Sequence, residues 1–317
     1  MLVNDIRKEI DKYDKKELKE IIIELYKRIP KTKREDYNID DYIINMNKTK
    51  NNSNNIPFSE YSKEINYFIE CVNNGYYVSP NKIISKKERS NWRFKVKKYY
   101  KELNAILPNT EHSDEATNLL IEIFKILSIG SCTLLFTNWE TFRALGVSQS
   151  DYYDTIVKRI LSKGYTKDNL NKCIDLLEIT KSPYEMSYDM YGMLVSNLKT
   201  TDVKEMTIKL LQNKIDSLKI DLASIKDDYV EFYLKEDIND YVQCVLEINL
   251  LLGEYQEGIK YFQKNYLKEI KEIKEYVLLN VLESYDLKDE WIKEYESKKD
   301  KIKFRYSINE QYAIYKK

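Results

Sequence analysis

The chain has 317 residues, 43% hydrophobic and 33% charged, the make-up of a folded, charge-dense protein of one large or two ordinary domains rather than a disordered one. Its 52 Lys plus Arg balance its 52 Asp plus Glu, so no overall excess of either sign points to a partner. Only seven Gly and five Pro occur, which argues against a many-stranded sheet and against a glycine-rich phosphate loop, since both need residues at positive φ. The expected class is all-α, with long helices joined by short polar turns.

The start, Met1 to Glu9, has no apolar run and no cleavage site, which predicts a cytoplasmic chain. The first strong helix runs from Asp14 to Pro30: Asp14 caps it, Glu17 reaches back three residues, and Pro30 stops it. Leu18, Ile21, Ile22, Leu25, Tyr26 and Ile29 recur at three- and four-residue steps on one face. A shorter helix over about Val3–Lys12 pairs with it, so residues 1–43 read as an N-terminal helical hairpin. Half of the residues from Ile44 to Pro57 are Asn or Ser, so 44–60 read as a linker or mobile loop. A helical domain is expected over 61–180 and further helical pairs over 181–317.

Helical pattern resumes at Tyr61–Asn73 and is followed by a basic segment. Residues 86–101 hold eight Lys or Arg and one Glu, a charge of +7 that leaves −7 for the rest of the chain. Trp92, Val96, Tyr99, Leu103 and Ile106 step by four and three, which predicts a helix over about Asn91–Leu107 with Ser90 as cap and Phe94 out of pattern. Arg93, Lys97, Lys98 and Lys101 would then be exposed. Either Trp92 and Tyr99 are core and the lysines face water or an acidic neighbour, or the segment grips phosphates while the aromatics stack on bases. Helical spacing favours the first.

His112, the only histidine, stands in Glu111-His-Ser-Asp-Glu115. With no second imidazole and no serine in a nucleophile turn, it fits a helix-entry loop with Ser113 or Asp114 as cap. Leu119–Phe136 is the most apolar window, but it contains Glu122 and Lys125. It reads as a buried central helix, since a bilayer span needs about 20 predominantly apolar residues. Phe142–Arg159 resembles a DNA-reading helix-turn-helix at its Leu-Gly-Val-Ser turn. Against that, Phe142 stands where a small residue belongs, and Asp151 and Asp154 would face phosphates. Cys71, Cys132, Cys173 and Cys244 lie more than 28 residues apart, with no metal or redox spacing, and read as buried apolar side chains. No metal or cofactor is expected.

Past a helix at Tyr188–Leu198, Asp202-Val-Lys-Glu205 reads as a capping box opening the next helix. Tyr241, Val245, Ile248 and Leu252 step along one helix, Gly253 breaks it, and Tyr255, Ile259, Phe262 and Tyr266 step along the next. Leu252–Lys264 resembles the middle of a tetratricopeptide repeat, where Gly253, Tyr255, Gly258 and Phe262 match a turn glycine, an aromatic, a small residue at the helix contact and a second aromatic. A shift of 33 residues places Ile259 on Ile292 and Phe262 on Tyr295, near the family period of about 34. Asn265 departs from the family's Ala, the family's first-helix Trp is absent, and Gly258 falls on Trp291. The Glu17–Tyr26 helix and the Ile84–Lys98 run are also similar to segments of uncharacterised bacterial proteins, a likeness that carries no activity.

The resemblance implies helical hairpins stacked as an irregular α-solenoid, and with it a non-enzymatic module that binds a protein or peptide. Tyr191, Tyr229, Tyr233, Tyr255 and Tyr261 are the candidate anchors, because tyrosine is large, fairly rigid and amphipathic. The alternative is nucleic-acid binding through Arg93, Lys97, Lys98 and Lys101. An enzyme is the least supported reading, and no catalytic residue is assigned; no membrane partner is expected.

Overall fold

A computed structural model describes residues 9–10, 12–36, 39–40, 43, 57–179 and 188–317. Most of the helix expected at Val3–Lys12 and all of the Asn-rich stretch 44–56 lie outside these residues. The described residues are helical, with no strand among them, and the chain divides into two compact units, residues 1–60 and 61–317.

In the first unit, α1 (Lys15–Arg28) begins with the expected capping box. Asp14 accepts from the Lys16 and Glu17 backbone N–H groups, and the Asp14 N–H donates to the Glu17 carboxylate. After Pro30 the chain re-enters a short helix, α2 (Lys31–Asp36). None of the α1 residues is buried; Ile22 and Leu25 are 54% and 57% exposed.

The second unit begins within α3 (Phe58–Asn73), at Tyr61. The helix expected over about Asn91–Leu107 is α5 (Trp92–Ala105), and a short helix, α4 (Lys86–Ser90), precedes it across Asn91. Ser85 caps α4 and forms a capping box with Glu88; α5 starts from Asn91 without a side-chain cap bond, and Ser90, expected as its cap, turns its hydroxyl back to the Lys87 carbonyl. α6 (Ser113–Cys132) is the expected central helix, with Leu120, Ile123, Phe124 and Leu127 fully enclosed. α5, α7 (Thr141–Leu145) and α8 (Gln149–Leu161) pack on it. Phe124 meets Phe142, Tyr152 and Tyr153 at ring-centroid distances of 5.6–6.3 Å. Arg159 on α8 is buried, and its guanidinium donates to the Ile106 carbonyl at 2.6 Å, Thr117 Oγ1 at 3.0 Å and the Ser113 carbonyl at 3.4 Å.

The segments on either side of residue 180 pack into this one unit. α8 meets α10 (Tyr188–Asn197), α9 (Lys167–Asp175) meets α11 (Thr201–Ser224), and α10 meets α12 (Asp228–Leu252). α11 starts from Thr200 with no side-chain cap bond, so Asp202 sits in the first turn rather than at the cap. α12 is capped by the Asp227 carboxylate.

Gly253 ends α12 at φ 80°, and α13 (Tyr255–Asn265) folds back along it. α14 (Lys271–Ser284), α15 (Lys288–Lys298) and α16 (Tyr306–Tyr315) follow, with neighbours packed in pairs. Buried Glu275 ties the two sets together by accepting from Gln263 of α13 and Lys298 of α15.

The contact between α12 and α13 is tightest at Gly258. A Cβ there would lie 2.9 Å from the Asn249 Cβ and 3.4 Å from the Leu246 carbonyl oxygen. In the following pair the equivalent position is Trp291, fully buried and stacked on Tyr295. Gly258→Val is expected to destabilise the protein by about 2 kcal/mol through overpacking. Gly192→Ala, where a new Cβ meets nothing within 4 Å among the described residues, is expected to gain up to about 1 kcal/mol from helix propensity. Melting temperatures followed by circular dichroism check both signs.

Candidate partner-binding groove

α11 and α13 both pack on α12, and residues of all three line an open groove of about 480 Å³. Asn249 and Leu252 of α12 line it beneath, and Ile208 adds apolar surface from α11. Lys219 of α11 donates to Asn265 Oδ1 of α13 at 2.6 Å, joining the two walls past one end, and Asn265 in turn donates to the Tyr261 carbonyl at 2.9 Å. Burial lowers the Lys219 ammonium pKa.

The charges along the α13 wall are ordered. Glu254 and Glu257 stand at its start, then Lys260, Tyr261 and Lys264, while α11 supplies Glu205 and Lys209. This order follows the helix dipole, which favours acids at the first turn and bases at the last. Tyr261 is half-buried between Lys260 and Lys264, with burial and then Asp216 pushing its hydroxyl up to about 12, so it stays a neutral hydrogen-bonding tip.

The five candidate tyrosines are not brought together. Tyr261 alone lines this groove. Tyr191 is a core residue, 5% exposed and edge-on to Tyr241, because position 191 falls on the face of α10 that meets α12; as an anchor it is ruled out. Tyr229 and Tyr233 are 71% and 51% exposed on the first turns of α12, with ring centroids 4.7 Å apart. Tyr255 is half-buried at the start of α13. The groove residues not singled out from sequence are Glu257, Lys260 and Lys264. Their signal is their own spacing, Glu257 to Lys260 to Lys264 at three- and four-residue steps, on the face of α13 that does not carry Gly258, Ile259 and Phe262.

On α5, Trp92 and Tyr99 are core, so neither reaches a base. Trp92 Nε1 donates to Thr137 Oγ1 at 3.1 Å, and Tyr99 donates to Glu64 at 2.9 Å. Arg93, Lys97, Lys98 and Lys101 are exposed, and among the described residues no carboxylate lies within 4.0 Å of them. The Leu-Gly-Val-Ser turn joins α7 to α8, but Gln149, Ser150, Tyr152 and Tyr153 at the start of α8 are all buried, so that helix cannot enter a DNA groove.

His112 itself occupies the cap position of α6, at φ 64° and without a side-chain cap bond, with Ser113 already in the helix. Its Nε2 lies 3.4 Å from the Glu111 carboxylate. Burial pushes the thiol of Cys173 up to about 12 and raises that of Cys244, so both stay protonated. Among the described residues no three His, Cys, Asp or Glu side chains converge as metal ligands, and no helix is long and apolar enough to cross a membrane. Neither known family models, nor curated proteins, nor solved structures match the chain.

Elsewhere on α12, Glu247 accepts from Gln243 Nε2 at 2.9 Å and from the Tyr285 hydroxyl at 3.3 Å, with no cation in ion-pair reach among the described residues. Burial raises its carboxyl pKa above the usual value. Folded and unfolded chains both hold this proton in acid. As pH climbs past the unfolded value, the unfolded state ionises first and stability is lost. Glu247→Gln is therefore expected to be more stable than the wild type at pH 7 and equal to it below about pH 4. Urea unfolding across pH 3.5–7.5 checks the crossover.

Proposed function

We propose that this protein is a non-enzymatic binding module that takes an extended peptide segment of a partner protein into the groove between α11 and α13. The observation that carries this reading is the ordered charge along that groove, acidic at Glu254 and Glu257 and basic at Lys260 and Lys264, around the half-buried ring of Tyr261. A segment that is cationic at one end and acidic at the other fits this order in one direction only, because reversing it places like charges together. Tyr261 would be the anchor, since hot spots concentrate on aromatic side chains held at the centre of a contact.

We further propose that α12 to α15 are helical pairs of the tetratricopeptide kind. Support comes from the close approach at Gly258 and the antiparallel return of α13 along α12. In the second pair the equivalent position is the buried Trp291, so the second contact would differ from the first and the array would be irregular. A non-enzymatic role is supported by the enclosed, protonated thiols of Cys173 and Cys244 and by the placement of His112 beside Glu111 on an exposed loop.

The test is a peptide array probed with the full chain, followed by titration of captured peptides by fluorescence anisotropy. Bound peptides are expected to carry separated charges, to lose about 30-fold in affinity with Tyr261→Ala, and to lose binding with Lys260→Glu plus Lys264→Glu. An array without captured peptides, or captured peptides indifferent to the three groove changes, would overturn the reading.

A further inference from the structure

The face that α5 turns to water carries Arg93, Phe94, Lys97, Lys98 and Lys101, while Trp92, Val96, Tyr99 and Leu103 fill the core behind it. Arg93, Lys97 and Lys101 recur every fourth residue, about 6 Å apart along the axis. No described carboxylate pairs with any of the four cations. Of the nearby acids, Glu88 is held in its capping box with Ser85 and Glu64 by Tyr99, while Glu102, exposed on α5 itself, forms no ion pair with these cations. Lys98 leans over the Tyr61 ring at 5.6 Å, and Lys97 lies by the Gly146 turn at the C-terminal end of α7.

Phe94 breaks the apolar pattern and is 64% exposed. Its partner in the fold is a cation, the Arg93 guanidinium, 5.3 Å from the ring centroid. A large ring in water costs free energy, and this one is flanked by positive charges one, three and four residues away. That is the composition of a surface that neutralises a phosphate chain while offering a flat apolar face to a base.

We propose that this face of α5 binds single-stranded nucleic acid, with the cations along the backbone phosphates and Phe94 stacked on an unpaired base. The single strand is favoured over a duplex because paired bases hide the faces that Phe94 would contact. It is favoured over an acidic peptide because the ring would then lack a stacking partner.

The test is anisotropy of fluorescein-labelled oligouridylate and oligothymidylate titrated with the full chain. Neutralising four phosphates predicts an affinity that falls about 50-fold between about 50 and 200 mM salt. Phe94→Ala and Phe94→Leu are each expected to weaken binding at least about fivefold, because leucine keeps apolar area but has no ring to stack. Lys97→Glu plus Lys101→Glu is expected to weaken it at least about tenfold and to flatten the salt dependence. All three side chains are exposed, and unchanged circular-dichroism melting identifies the variants as folded. Salt-insensitive or absent binding, a Phe94→Leu variant that binds as well as the wild type, or an equal affinity for the matching duplex would overturn the proposal. So would sedimentation with phosphatidylserine vesicles, lost in the charge-reversed variant, when neither oligonucleotide binds. The groove variants Lys260→Glu and Lys264→Glu are expected to leave oligonucleotide binding unchanged, which separates this surface from the peptide groove.

Discussion

The contact between α12 and α13 at Gly258 is the constraint on which the C-terminal half depends. With no side chain at that position, α13 settles against Asn249 and Leu246, and α12 stands between two helices instead of one. The groove exists because α11 and α13 both approach α12 while standing apart from each other. A bulkier residue would lift α13, take the Lys260–Lys264 wall away from α11, and strain the Lys219–Asn265 hydrogen bond. The fixed backbone approach and the charge order on the open side are properties of one helix, α13, seen from its two faces.

The chemistry of the unit is divided by depth. Aromatic side chains fill the interior, and several use their polar tips to satisfy backbone groups. Tyr152 donates to the Leu120 carbonyl and Tyr153 to the Cys173 carbonyl, each with its ring enclosed. A buried tyrosine of this kind supplies apolar area and a hydrogen bond from one side chain. The abundance of tyrosine is in good part a structural matter, which is why choosing anchors by residue type placed Tyr191 among them wrongly. Some rings stay outside, Tyr229 and Tyr233 at the start of α12 among them, and on α5 the exposed Phe94 stands among cations.

The helices themselves were legible where periodicity and local chemistry agree. Asp14 with Glu17, Pro30, Gly253 and the enclosed run of α6 each act within a few residues of chain, and each appears as expected. Ser90 was expected as the cap of α5 because it stands before the apolar period, yet α5 starts from Asn91 with no side-chain bond, and the short α4 with its Ser85 cap carries no apolar period to announce it. The groove was not legible as a place. Its walls lie some 50 residues apart along the chain, and their register depends on Lys219 meeting Asn265, a pairing that no spacing announces. Arg159 was likewise invisible, because a lone arginine at a helix end looks like a solvated charge until the carbonyls around it are known.

That arginine ties together parts of the chain that are distant in sequence. Its guanidinium is bound at once to the residue closing α5, to the first residue of α6 and to Thr117 one turn on, all from within α8. The connection between α5 and α6 therefore has no independent freedom to open: releasing it leaves a buried cation without acceptors, and displacing α8 exposes the aromatic layer around Phe124. Amide protons around Ile106 and Ser113 should thus exchange with solvent only when α6 and α8 come apart, so that an apparently ordinary surface loop belongs to the most cooperative part of the molecule.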